Sequence, residues 1–317
     1  MNRINHGLLA LAGALAFAHA AHAEAPMVKT QAPGYYRMML GDFEVTALFD
    51  GAIDLKPTEL LTNVKKDDVT KMLAQRFQKE PVPTSVNAFL VNTGSKLVLI
   101  DTGTGALGGP TLGGIVNNLK AAGYQPEQVD EIYITHMHFD HVGGLMSGDK
   151  LAFPNAVVRA DQHDADFWLS QANLDKAPEA MKGFFKGAQA SLNPYVAAGK
   201  FKSFTGNTDL VPGVKAVSTY GHTAGHTVYT VESQGQKLVL WGDLMHVPAV
   251  QFQRPEVTIQ FDSDSKSAAK ERKKAFAEAA KQGYLVGVAH LPFPGIGHLL
   301  REGKGYSYVP VDYAPVK

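Results

Sequence analysis

The chain has 317 residues, 45% of them hydrophobic and 19% charged, with a formal net charge of zero. That balance suits a globular fold with a sizeable core and argues against a nucleic-acid partner, which needs a basic surface. There is no cysteine, so disulfides, thiolate nucleophiles and cysteine metal ligands are excluded together.

Residues 1–23 read as a secretory signal peptide. Arg3 gives a basic start, Leu8 to Phe17 is apolar, and Ala21-His22-Ala23 fits a small-x-small cleavage site. That apolar run is too short for a bilayer span, so no stable membrane insertion is expected. The expected product is one domain, residues 24–317, in the periplasm or outside the cell. Along it, β-rich runs predict strands at Phe43–Phe49, Ala88–Asn92, Lys96–Asp101, Glu131–Thr135, Ala156–Ala160, Lys215–Thr219, Val228–Glu232, Lys237–Trp241 and Leu285–Ala289. Helical patterns fall at Asp67–Gln78, Leu112–Ala122, Gln162–Gln171, Ala180–Leu192 and Ser265–Gln282, the last with a cap at Asp264. Leu55–Pro83 is weakly patterned and reads as a flap. The run Arg272-Lys273-Lys274 reads as a solvated helix face. Strands early and late, with helices between, predict an α/β layered sandwich of two packed sheets.

The chemistry concentrates in Thr135-His136-Met137-His138-Phe139-Asp140-His141, which spaces four potential metal ligands as H-x-H-x-D-H. Imidazole and carboxylate are donors that suit zinc and similar divalent ions. The motif follows a predicted strand, where α/β folds place functional loops. Further candidates also follow apolar strands: His222 and His226 in Tyr220-Gly221-His222-Thr223-Ala224-Gly225-His226, Asp243 after Leu238–Trp241, and His290 after Val286–Ala289. Strand ends of this kind can converge on one edge of a sandwich. No G-x-S-x-G elbow suggests a serine nucleophile.

This ordered set of motifs resembles the metallo-β-lactamase superfamily, which implies a four-layer αββα sandwich and two adjacent metal ions. By that resemblance His136, His138 and His222 hold one ion, Asp140, His141 and His290 hold the other, and Asp243 bridges them. The resemblance implies two divalent ions, zinc first, with manganese, cobalt or iron accepted by the same donors. His226 is read as bracing the ligand turn from behind, and Asp101 as a structural residue at the end of its strand. Asp140 and Asp243 are the candidate catalytic carboxylates.

A closer resemblance is to methyl parathion hydrolases and dihydrocoumarin hydrolase-like lactonases. It is carried by Ala32-Pro33-Gly34-Tyr35-Tyr36-Arg37, Leu90–Lys96, Ala165-Asp166-Phe167-Trp168-Leu169 and Phe293-Pro294-Gly295-Ile296-Gly297-His298. It implies an aromatic wall of Trp168, Phe184 and Phe185 beside the metals, and relatives of this kind suggest a homodimer. The chain departs from the methyl parathion hydrolases at His246, where those enzymes have an apolar residue, and Ile259 and Phe261 make the same face bulkier. A narrower pocket favours a flat cyclic ester over a bulky phosphotriester. The expected activity is hydrolysis of lactones or aryl esters by a metal-bridging hydroxide. Organophosphate triester hydrolysis is the alternative, and a non-catalytic envelope metal-binding protein comes third.

Overall fold

The computed structural model describes residues 25–316. The signal-peptide expectation lies outside the described residues. Residues 25–32 carry no helix or strand and are grouped separately from the unit that begins at Pro33.

Among the described residues, the strands of that unit build two seven-stranded sheets and a short hairpin. The first sheet takes β1 (Tyr35–Leu40), β2 (Phe43–Leu55), β3 (Val82–Asn92), β4 (Leu97–Ile100) and β5 (Glu131–Tyr133). After the hairpin of β6 (Met146–Ser147) and β7 (Lys150–Leu151), it is completed by β8 (Val157–Asp161) and β9 (Phe201–Phe204). The second sheet runs β10 (Thr208–Val211), β11 (Val214–Ser218), β12 (Thr227–Ser233), β13 (Gln236–Leu240), β14 (Leu285–Gly287), β15 (Ile296–Glu302) and β16 (Gly305–Pro310) in chain order. In the first sheet β1 to β4 are antiparallel, and β4, β5, β8 and β9 are parallel. In the second, only β13 and β14 pair in parallel.

The alternation of side chains along each strand explains the layers. From β3 and β4, Phe89, Val91, Val98 and Ile100 face inward and meet Ala216, Tyr229, Leu238 and Leu240 of the second sheet. Their neighbours Leu90, Leu97 and Leu99 point the other way, into a core shared with Leu119, Trp168, Phe185 and Leu192 from helices Ile115–Ala121, Gln162–Trp168 and Glu179–Ala197. On the far side, Val239, Trp241 and Val286 pack on Phe276 and Ala279 of helix Ser265–Gln282. The central strands of both sheets are thus buried on two faces, which is why they read as continuous apolar runs. The order helix, sheet, sheet, helix is the expected αββα sandwich. Asp264 caps the last helix as expected, its carboxylate accepting the Ser267 N–H at 3.0 Å.

Four expectations about local structure need correction. Leu55–Pro83 is not a flap, because its Leu61, Val69 and Leu73 are buried against Val247, Val250, Val257 and Ile259 in a core of their own. The helix expected over Gln162–Gln171 stops at Trp168, because Ser170 caps a new helix, Gln171–Lys176, by accepting the Asn173 N–H at 3.2 Å. β1, β9, β10, β15 and β16 are not among the expected strands; the last four carry polar or glycine positions that break up an apolar run. Arg272 is not a solvated side chain: it is 1% exposed.

Candidate metal centre

Loops leaving the carboxyl ends of β5, β11, β13 and β14 converge at one edge of the two sheets. Residues 134–141 follow β5, and His141 sits in the single turn Phe139–Val142. His222 lies on the loop between β11 and β12, Asp243 three residues past β13, and His290 three past β14. Gly242, at φ +53°, makes the turn into Asp243 possible, since a Cβ there would meet Thr135 at 2.7 Å.

The seven candidate ligands come together as two groups of donor atoms. His136, His138, His222 and Asp243 form one, and Asp140, His141, Asp243 and His290 form the other, each with its donors within 4.8 Å of one another. All seven are buried. Asp243 belongs to both groups through different oxygens. Its Oδ2 lies 3.3 Å from His222 Nε2 and 3.6 Å from His136 Nε2, and its Oδ1 lies 3.1 Å from both His141 Nε2 and His290 Nε2. Asp140 Oδ2 lies 3.5 Å from the Nε2 atoms of His141 and His290.

Outer partners fix which imidazole nitrogens face inward. His141 Nδ1–H donates to Asp101 Oδ2 at 2.8 Å. Thr135 Oγ1 donates to the same oxygen at 2.8 Å and accepts from His136 Nδ1 at 3.1 Å. His222 Nδ1–H donates to Asp262 Oδ1 at 3.0 Å, and His290 Nδ1–H to the Ser85 carbonyl at 2.9 Å. The inward nitrogens are then left with lone pairs that face one another. His222 Nε2 sits 3.2 Å from both His136 Nε2 and His138 Nδ1. Among the described residues, His141 Nε2 and Asp243 Oδ1 are buried with no hydrogen-bond partner at all. Converging acceptors without donors are costly unless cations lie between them, so the donor set fits two metal ions.

Electrostatics point the same way. Burial, and then His141, holds His136 well below the ordinary histidine pKa, and burial with His222 does the same to His138. Burial also opposes a charge on His222, yet Asp243 and Asp262 raise it to about 9. Asp243 is itself held well below the usual carboxylate range, against burial, by His290 and His141. The centre therefore draws positive charge to its inner face, either a proton on His222 or a cation among the donors.

His226 and Asp101 both lie behind the donors. His226 accepts the Asp243 N–H on Nε2 at 3.1 Å and bonds Thr219 Oγ1 through Nδ1 at 2.8 Å. Burial, and then His222, pull its pKa down to about 3, so it stays neutral. Asp101 adopts a left-handed φ of +59°, which turns its carboxylate back under the Thr135 N–H at 2.8 Å.

A cavity of about 140 Å³ opens over the donors, lined by Ile53, Leu55, Thr84, Phe139, Phe184, His246 and Phe261, with His138, Asp140, Asp243 and His290 at its floor. Of the residues expected to line a pocket, Phe184, His246 and Phe261 lie at this cavity. Trp168, Phe185 and Ile259 are corrected. They are at most 2% exposed and belong to the packed cores, Trp168 and Phe185 with ring centroids 4.8 Å apart and Ile259 beside Leu61. Trp168 still supports the site from behind, its ring 5.3 Å from that of His138. His246 bonds Asp243 Oδ2 through Nε2 at 3.0 Å and stacks on His290 at 5.3 Å.

Three residues escaped the sequence reading. Asp262 holds His222. Asp164 accepts the N–H groups of Met137 at 3.0 Å and Gly225 at 2.6 Å and the Thr223 hydroxyl at 3.0 Å, so it ties the first ligand loop to the second. Thr135 relays Asp101 to His136. The two carboxylates sit in polar stretches that resemble surface, and only burial distinguishes them.

The sequence model of the metallo-beta-lactamase superfamily matches residues 81–290, which include every donor described above. The chain belongs to that superfamily. A solved structure described as the hydrolase AbOPH in the beta lactamase superfamily superposes with a TM-score of 0.86 at 39% identity, covering 90% of this chain and all of that one. The dizinc quorum-quenching lactonase AidC, solved with a product homoserine, superposes at 0.82 with 27% identity over 89% of this chain and 99% of its own. By sequence, an N-acyl homoserine lactonase of Bacillus sp is 33% identical over 130 residues, 40% of this chain. One from Bacillus cereus is 27% identical over 199 residues, 62% of this chain. These alignments span only 42% and 66% of the two lactonases.

Proposed function

We propose that this protein is a dinuclear metal hydrolase that opens lactones. The observation that carries the reading is Asp243, whose two oxygens face two separate donor groups at the floor of a small, mostly apolar cavity. Two divalent ions held there would polarise an ester carbonyl and lower the pKa of a water to the neutral range. The chain's own residues do the rest. His136, His138 and His222 form one cradle, Asp140, His141 and His290 the other, and Asp243 spans both. Phe184 and Phe261 exclude water and press a flat ring toward the floor. Asp140, at the cavity floor, is placed to take the proton of the attacking water and pass it to the leaving oxygen. Zinc is the metal expected first, in keeping with the dizinc AidC, and export rests on the composition of residues 1–23.

The same centre would serve in-line attack on a phosphotriester. The 140 Å³ cavity, narrowed by His246 and Phe261, puts that second. The test is paired initial rates of the metal-reconstituted protein on N-hexanoyl homoserine lactone, dihydrocoumarin and methyl parathion. Lactones should lead by about a hundredfold or more. Preference for methyl parathion overturns the lactone assignment, and a two-metal protein inert on all three overturns hydrolysis.

A further inference from the structure

We propose that Arg272 is a positioning residue for the first donor group, acting on His222 through Asp262. The inference rests on the reading that the two groups hold two metal ions.

Arg272 comes from the helix Ser265–Gln282, outside the sheets, yet its guanidinium is buried behind the centre. It donates through Nε to the Leu244 carbonyl at 2.9 Å and through Nη1 to the Val257 carbonyl at 2.8 Å, and Nη2 lies 3.9 Å from Asp262 Oδ2. Each contact leads to the site. Leu244 follows the shared Asp243. Val257 begins the segment that carries Phe261 into the cavity wall and Asp262 to His222. The Ile259 N–H donates to the same Oδ2 at 3.2 Å, leaving Oδ1 to His222. A planar fork can hydrogen-bond two carbonyls at fixed angles and still set its charge beside a carboxylate, which an ammonium does less well.

The placement is selective. Behind the second group stand Asp101 and the Ser85 carbonyl, neither of which contacts Arg272. In the first group, His136 is held by Thr135, leaving His222 as the one ligand whose outer nitrogen depends on Asp262. A buried guanidinium opposite a buried carboxylate is expensive to desolvate, and hydrophobic side chains of similar volume would fill the space. The charge pair is explained by what it orients.

Metal binding itself is the test, read without turnover. Wild type, Arg272→Met, Arg272→Lys and Asp262→Asn are stripped and titrated with zinc against a chromophoric chelator, and with cobalt by visible absorption. Wild type should take up two ions. Arg272→Met and Asp262→Asn should weaken one of them by about tenfold or more and leave the other unchanged, with Arg272→Lys falling between. Two ions bound as in wild type, or both weakened equally, overturns the proposal. If Arg272→Met does not fold, Asp262→Asn and Arg272→Lys carry the same outcomes. Wild type that binds fewer than two ions overturns the dinuclear reading and this proposal with it, whereas two tight ions in a protein inert on lactones sinks only the activity.

Discussion

The two sheets furnish the centre in different ways. The first delivers four donors, His136, His138, Asp140 and His141, from one loop after β5, and one carboxylate, Asp101, reaches both His141 and, through Thr135, His136. The second delivers three, His222, Asp243 and His290, each from a separate loop and each with its own brace: Asp262, His226 and the Ser85 carbonyl. A contiguous loop can be held as a unit. Dispersed donors must be positioned one at a time, and that is where the extra buried polar groups accumulate. The contrast predicts that damage on the first side spreads to both ions and damage on the second side stays local, with Asp243 the exception because it is shared.

That exception gives the largest effect. Asp243→Asn leaves the shape but removes the charge between two cations, and turnover should fall by about a thousandfold or more with loss of bound metal. A variant with normal rates and two ions would show that Asp243 does not span the groups. Next is Asp101→Asn. The amide cannot accept from His141, Thr135 Oγ1 and the Thr135 N–H together, so both ions should weaken, each by roughly 10- to 100-fold. Chelator competition decides the matter: loss confined to one ion would erase the distinction between the two sides.

Asp164 probes the seam between them, since it binds Met137 on one side and Gly225 on the other. Burial raises its pKa from 3.8 to about 6, against the pull of its three hydrogen bonds. The folded protein therefore binds a proton between those values that the unfolded chain has released. The stability this contributes is present below the unfolded pKa and is lost as pH rises through 6. Relative to Asp164→Asn, the wild type should lose about 2 kcal/mol between roughly pH 4 and pH 8. Urea unfolding of the metal-stripped proteins measures it, and a flat difference would mean that the carboxylate stays ionised throughout.

The same contrast governs what could be read without coordinates. The H-x-H-x-D-H loop declares itself by local spacing, and the strand-end positions of His222, Asp243 and His290 could be found because apolar runs precede them. Two packed sheets follow from those runs too, and the four-layer αββα order from the resemblance. Asp262, Asp164 and Arg272 gave no such signal, for their partners lie far away in the chain and a charged residue in a polar stretch looks solvated. Trp168, Phe185 and Ile259 show the converse limit. Bulk and aromaticity say that a side chain is buried, but whether it faces a cavity or a core depends on what stands in front of it. Leu55–Pro83 looked loose because its apolar residues are few, although they pack against a segment almost 200 residues away.

His246 should give the smallest effect and the finest resolution. It lies on the second side, touches Asp243 through Nε2, and has a buried Nδ1 without a partner among the described residues. His246→Leu removes the hydrogen bond to the shared carboxylate and an unpaired polar atom from the cavity wall. Because those two losses oppose each other in energy, stability should change little, while the wall becomes wholly apolar beside Phe261. The ratio of methyl parathion to dihydrocoumarin turnover should rise by about five- to tenfold, with both ions retained. An unchanged ratio would move the control of ring against phosphotriester away from this wall and toward Phe184, on the side built by the first sheet.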